Sequence, residues 1–243
     1  VLQEIAVSQI NKLRIVAVII VMVLVGLYFA NSQNENGATV DAGVENAETT
    51  ETQAAPVSDA GALGNDNPLG EIMIGAADAP VTIVEYASLT CGHCGDFHRT
   101  TLPLLKGKYV DTGKVNIKFR PFPLDEYALT GAMLAQCVAP KQRVAFLDIL
   151  FARQGQWMQS QRPIDDFQSI ARQAGLSEAD FVVCLKDENI LAGVRDMQKQ
   201  AAEELGIRST PTFFINGTKL EGNRPIEDFD ALIIADLPAD MKN

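Results

Sequence analysis

Basic charge, histidine and tryptophan are all scarce in this sequence, and each scarcity excludes something. Lys and Arg number 20 against 31 Asp and Glu, a net charge of −11. A nucleic-acid binder needs a basic face, and this balance argues against one. Two histidines, His93 and His98, leave little for a metal centre. No glycine-rich phosphate loop, metal-ligand cluster or convincing serine triad is present. No cofactor and no metal is expected. The one tryptophan, Trp157, lies in a helical stretch and reads as a packing residue.

What is present is a chain able to build a core. Hydrophobic residues make up 47% and charged residues 21%, outside the disordered range. The acidity is uneven. Residues 1–67 hold eight acids and two bases, whereas residues 68–243 hold 23 and 18. The body is therefore mildly acidic, and the leading segment carries a disproportionate share.

That segment bears on compartment. Ile15 to Ala30 is an unbroken apolar run with Lys12 and Arg14 just before it. As a helix it spans roughly 24 Å, somewhat short of a hydrocarbon core of about 30 Å that flanking residues help to bridge. From Asn31 to Asn67 there are seven acids and no base. The bias of positive charge toward the cytoplasm then puts the N-terminus inside and the rest outside. Residues 1–30 are read as a cytoplasmic stub with a transmembrane anchor or signal segment. A cleaved signal peptide ending near Ala30-Asn31-Ser32 is the alternative, disfavoured by bulky Tyr28 and Phe29. Either way the body is expected outside the cytoplasm. Residues 31–67, poor in large apolar side chains, read as a disordered tether, with a coil reach on the order of 30–35 Å.

The body, residues 68–243, reads as one α/β domain. Val81 to Tyr86 is a short β-branched apolar run and predicts a buried strand. A helical stretch follows, with Pro103 expected to kink it, and then a second strand over Val115 to Arg120. Strand, helix, strand suggests a βαβ unit with a parallel pair. From about 125 to 205 the pattern is helical, punctuated by Pro140, Pro163 and Gly175. Ser177 to Asp180 resembles a capping box, and Gly206 suits a helix end. Thr210 to Leu220 predicts a hairpin turning at Asn216-Gly217, with a last helix after Pro225.

The main chemical signal is Cys91-Gly-His-Cys94, placed after a strand and opening a helix. A helix N-terminus presents unpaired N–H groups and partial positive charge, both of which favour a thiolate at Cys91. A low thiol pKa makes Cys91 a good leaving group and destabilises its disulfide relative to the dithiol. His93, between the cysteines, would stabilise the thiolate further as a donor or cation. The competing reading is half a zinc site completed by His93 or His98. Structural zinc needs four ligands at recognisable spacing, and the remaining cysteines are more than 40 residues away.

Cys91-Gly-His-Cys-Gly-Asp-Phe-His98 and Thr210-Pro-Thr-Phe-Phe-Ile-Asn-Gly217 together resemble the thioredoxin superfamily. The helical insert between the two halves resembles the DsbA family of bacterial disulfide oxidoreductases. The similarity covers about Leu69 to Leu237. The resemblance implies a thioredoxin fold with an inserted helical domain. It implies Cys91 as nucleophile, Cys94 as resolving thiol and Thr210-Pro211 as a cis-proline loop for extended substrates. It also implies that Glu85, six residues before Cys91, is a buried acid taking the proton of Cys94; Lys118 is weighed as its charge partner. Reduced exported proteins are the implied substrates, and a DsbB-like quinone-linked membrane protein the implied partner. The localisation implied is the bacterial inner membrane, with the catalytic domain in the periplasm, or a cleaved soluble periplasmic form. The Gly-His dipeptide departs from the Pro-His of the best-known DsbA proteins and matches protein disulfide isomerase. An isomerase or reductase kept reduced thus stays open, as does a membrane-anchored chaperone or scaffold.

Cys137 and Cys184 both fall in the insert, on separate predicted helices. Outside the cytoplasm an even cysteine count favours a structural disulfide between them, the alternative being two buried thiols.

Overall fold

A computed structural model describes residues 67–242. The expected anchor, and the expected tether up to residue 66, lie outside the described residues. Among the described residues no helix is long and apolar enough to cross a membrane.

Five strands form one sheet: β1 (Ile72–Ile74), β2 (Val81–Ala87), β3 (Val115–Pro121), β4 (Thr212–Ile215) and β5 (Thr218–Glu221). Their order across the sheet is β1-β3-β2-β4-β5. The central pair β2 and β3 is parallel, as the strand–helix–strand pattern suggests, and is joined by helix α1 (Gly92–Leu105). β1, absent from the sequence reading, pairs antiparallel with β3. It has only three residues, too few for alternation to register.

α1 runs through Pro103, which has no N–H to donate into the helix. It then widens into a π turn at Lys106–Val110. The insert consists of α2 (Glu126–Cys137), α3 (Arg143–Ala152), α4 (Gln154–Met158), α5 (Pro163–Gln173), α6 (Glu178–Leu185) and α7 (Glu188–Glu204). Local chemistry starts and stops these helices. Asp125, Ser177 and Asp187 accept N–H bonds at the starts of α2, α6 and α7, each cap contributing about 1 kcal/mol. Gly206, at φ +62°, closes α7. Asn216 (φ 43°) and Gly217 (φ 94°) make the tight turn between β4 and β5, where two consecutive positive φ angles suit the right-handed twist of a hairpin. α8 (Ile226–Asp236) follows Pro225.

Strand alternation sorts the core into layers. Ile83, Ile117, Phe213 and Ile215 pack with Phe97 of α1 and Phe229 and Ile233 of α8. Val84, Tyr86 and Phe214 point the other way, packing with Ala201 and Leu205 of α7. A third cluster joins Leu89 and Cys94 to the insert through Phe146, Leu150, Phe151 and Trp157. Trp157 is buried there against Phe167, its Nε1 donating to Leu150 O at 2.8 Å. This is the packing role expected of it.

Cys137, ending α2, is bonded to Cys184 on α6, with Cα atoms 6.0 Å apart. The bond links two helices that already pack against each other.

Candidate functional site

Cys91 caps the N-terminus of α1 in extended conformation, φ −76° and ψ 119°. Its carbonyl accepts the Gly95 N–H at 3.1 Å, the first turn of the helix. The side chain is half-buried, that of Cys94 fully buried, and both are free thiols. The Thr210–Pro211 peptide is cis and brings the Thr210 carbonyl to 3.2 Å from Cys91 Sγ. As a thiol, Cys91 donates to that carbonyl. As a thiolate it has no proton to donate. The Thr210 hydroxyl is buried and has no hydrogen-bond partner among the described residues, so it is free to turn toward the sulfur, and the Thr210 side chain contributes to lowering the Cys91 thiol.

The two thiols are driven apart. Cys91 is lowered to about 5, first by a hydrogen bond from the Cys94 thiol, then by the Thr210 hydroxyl and the N–H groups of Cys94 and His93, against the opposing effect of burial. Cys94 is pushed well above the ordinary thiol range, first by burial, then by its bond to Cys91 and by the negative charge of Glu85. One sulfur is thus held as an accessible thiolate and the other as a buried thiol.

Glu85 lies in mid-β2, 1% exposed. Both its oxygens face Nε2 of His98, at 3.0 and 3.1 Å. Lys118 is not its partner. In the β2–β3 register Lys118 stands opposite Val84, and Glu85 opposite Phe119. The two side chains therefore leave opposite faces of the sheet. His98 takes the place considered for Lys118, one helical turn after Cys94 on the same face of α1. Its ring is stacked on Phe151 with centroids 3.8 Å apart. His93 is exposed; what it gives Cys91 is its main-chain N–H.

Gln154, on α4, is the residue the sequence did not single out. Its buried amide donates to Leu89 O at 2.7 Å and Cys91 O at 2.8 Å, spanning the loop that leads into α1. Gly95 makes room for it, since a Cβ there would collide with the Gln154 amide oxygen. No pattern in the chain connects positions 63 residues apart. The structure therefore gathers Cys91, Cys94, Glu85, Thr210 and Pro211 around one sulfur pair. Cys137 and Cys184 form a separate bond within the insert. Among the described residues no cluster of His, Cys, Asp and Glu is suited to a metal.

Comparison with known proteins agrees with this geometry. A family model described as Thioredoxin matches residues 67–235. A curated Rickettsia bellii protein named "Putative protein-disulfide oxidoreductase" is 31% identical over 167 residues, covering 67% of this chain. The match spans 63% of that relative's own length. The crystal structure of Wolbachia pipientis alpha-DsbA1 is 33% identical with a TM-score of 0.64, covering 68% of this chain and 90% of that one. Oxidised BdbD from Bacillus subtilis, at 20% identity, shares the fold with a TM-score of 0.63 over 68% of this chain and 92% of its own. The fold and the Cys-x-x-Cys helix start thus define a member of the thioredoxin superfamily. Within it, the helical insert and the similarity to alpha-DsbA1 place the chain in the DsbA family.

Proposed function

We propose that the protein is a thiol-disulfide oxidoreductase that donates disulfides to other proteins through Cys91 and Cys94. The carrying observation is the opposed pair of thiols, with Cys91 lowered to about 5 over a buried Cys94 pushed upward. A thiolate this stable is a good leaving group, and its stability favours the reduced enzyme over the disulfide.

The reaction follows from the geometry. A substrate thiolate attacks Cys91 Sγ of the oxidised pair. The Cys91–Cys94 bond breaks, a substrate–Cys91 disulfide forms, and Cys94 leaves and takes a proton from Glu85. A second substrate thiolate attacks the substrate sulfur of that mixed disulfide, releasing Cys91 as thiolate. Two electrons have passed from substrate to enzyme. The Thr210–Pro211 loop beside Cys91 offers main chain along which an extended substrate would lie. Reoxidation reverses the roles: Cys94 gives its proton to Glu85 and attacks a mixed disulfide on Cys91.

The cellular setting belongs to the same proposal. The apolar run at Ile15 to Ala30, with bases before it and acids after it, supports a catalytic domain in the periplasm, tethered to the inner membrane or released from it. A disulfide within the insert fits an oxidising compartment. The substrates would be reduced exported proteins, and the oxidant a DsbB-like quinone-linked membrane protein. A tether would raise the local concentration of such a partner.

The deciding experiment traps the redox state of Cys91 and Cys94 in living cells by acid quenching and alkylation, in a Cys137→Ser/Cys184→Ser background. Mostly oxidised protein is expected. Mostly reduced protein would overturn the donor reading in favour of an isomerase or reductase. Cellular activity that survives Cys91→Ala would point to a scaffold instead.

A further inference from the structure

We propose that His98, with the small cavity beside it, is the route by which Glu85 exchanges its proton with solvent. The proposal rests on the reading of Cys91–Cys94 as a redox pair.

Each turn of such a pair moves a proton at Cys94, and Cys94 and Glu85 are both sealed from water, at 0% and 1% exposure. An acid enclosed on every side could accept one proton and then stall. The structure supplies an outlet. Nε2 of His98 meets both Glu85 oxygens, while Nδ1 is buried and bonded to no group among the described residues. A buried ring nitrogen without a partner is costly unless something fills the position. Glu85 and His98 both line a cavity of about 30 Å³. A single water needs about 10–15 Å³ on such a measure. Asp148 of α3 is the only other ionisable group in the lining; the rest is apolar, from β1, β3, α1 and α3. Asp148 is partly exposed, so one polar group of the same lining reaches the surface. The stack on Phe151, with Phe97 and Phe119 edge-on, holds the ring so that its two nitrogens keep their separate neighbours.

The steps balance without any electron transfer. Starting from ionised Glu85 and neutral His98 carrying its proton on Nε2, the Cys94 S–H bond breaks and an O–H bond forms on Glu85. Through water in the cavity that proton reaches Nδ1. Glu85 is again a carboxylate, now accepting from an imidazolium. The Nδ1 proton then leaves past Asp148. When Cys94 departs as a thiolate in the opposite half-reaction, the same path brings a proton in. His98 thus acts through Glu85 and touches neither substrate nor sulfur.

The test separates the two thiols' steps. Attack on a small disulfide by Cys91 is timed first, and then resolution of the resulting mixed disulfide by Cys94, in the full chain. In His98→Gln and His98→Ala the first step is expected unchanged, and the second slowed about a hundredfold, the lower end for loss of a positioned proton carrier. Added imidazole should restore resolution in His98→Ala, whereas pyrazole, of the same shape but a far weaker base, should not. Asp148→Asn, at the partly exposed edge of the cavity, should slow the same step and carries the test if the His98 variants fail to fold. Wild-type resolution in folded His98→Gln or in Asp148→Asn, or equal rescue by both azoles, would overturn the proposal and leave His98 as packing. If wild-type protein itself shows no Cys94-dependent resolution, it is the redox-pair reading that fails.

Discussion

The side-chain amide of Gln154 holds the carbonyl of Cys91 at 2.8 Å and that of Leu89 at 2.7 Å. One buried side chain from the insert thus fixes the backbone on which the nucleophile sits. Gln154→Met, similar in length but without donors, should remove both bonds. The loss should cost about 1–3 kcal/mol at the Leu89 carbonyl, which is left without a donor, and less at Cys91, whose carbonyl keeps the Gly95 N–H. Denaturant unfolding of the reduced protein measures it. A change below a few tenths of a kcal/mol would mean that the loop is held by other contacts.

Cys91 should react with an alkylating agent along a titration curve whose midpoint lies near 5. Thr210→Val removes one hydrogen-bond donor to the thiolate and should move that midpoint upward. An unmoved midpoint would assign the depression to the remaining donors, the Cys94 thiol and the main-chain N–H groups.

The same shift sets a pH dependence for the reduced enzyme. The Cys91 pKa is lowered on folding from 9.0 to about 5. Its contribution to folded-state stability is therefore fully present above the unfolded value and is lost as pH falls through the folded one. The reduced protein should lose stability relative to the oxidised protein between those two values as the solution is acidified. Melting temperatures of both forms across that range provide the check, and parallel curves would contradict it.

Cys137→Ser opens a loop of 47 residues. Chain entropy puts that disulfide at about 4 kcal/mol, a fall in Tm of about 10 °C for a domain of this size. Dithiol exchange at Cys91 should continue. If turnover vanished while the variant remained folded, the second pair would be a relay of electrons.

Much of the frame could be read before any coordinates. The β-branched run at Val81, the Asn216-Gly217 turn and the caps at Ser177 and Gly206 are local signals, each decided by a few neighbouring residues. The Cys-x-x-Cys pair is local too, and its position at a helix start gave the direction of the Cys91 shift. What escaped depends on register or on distance. Lys118 and Phe119 are adjacent in sequence, yet only strand pairing tells which of them shares a face with Glu85. His98 was within reach, since one helical turn separates it from Cys94. Gln154 left no trace, because its partners are carbonyls on a distant loop and any sequence has carbonyls.

The bond between Cys91 and Thr210 spans 119 residues of chain. A ribosome that has made the cysteine pair has not yet made the loop that completes its surroundings, nor, until the insert is finished, the amide of Gln154. A nascent chain stopped short of residue 209 should therefore carry a thiol closer to ordinary cysteine. The reactive group is armed late, by a loop made only after the whole insert, so a copy that stops within the insert is poorly equipped to exchange disulfides with its neighbours.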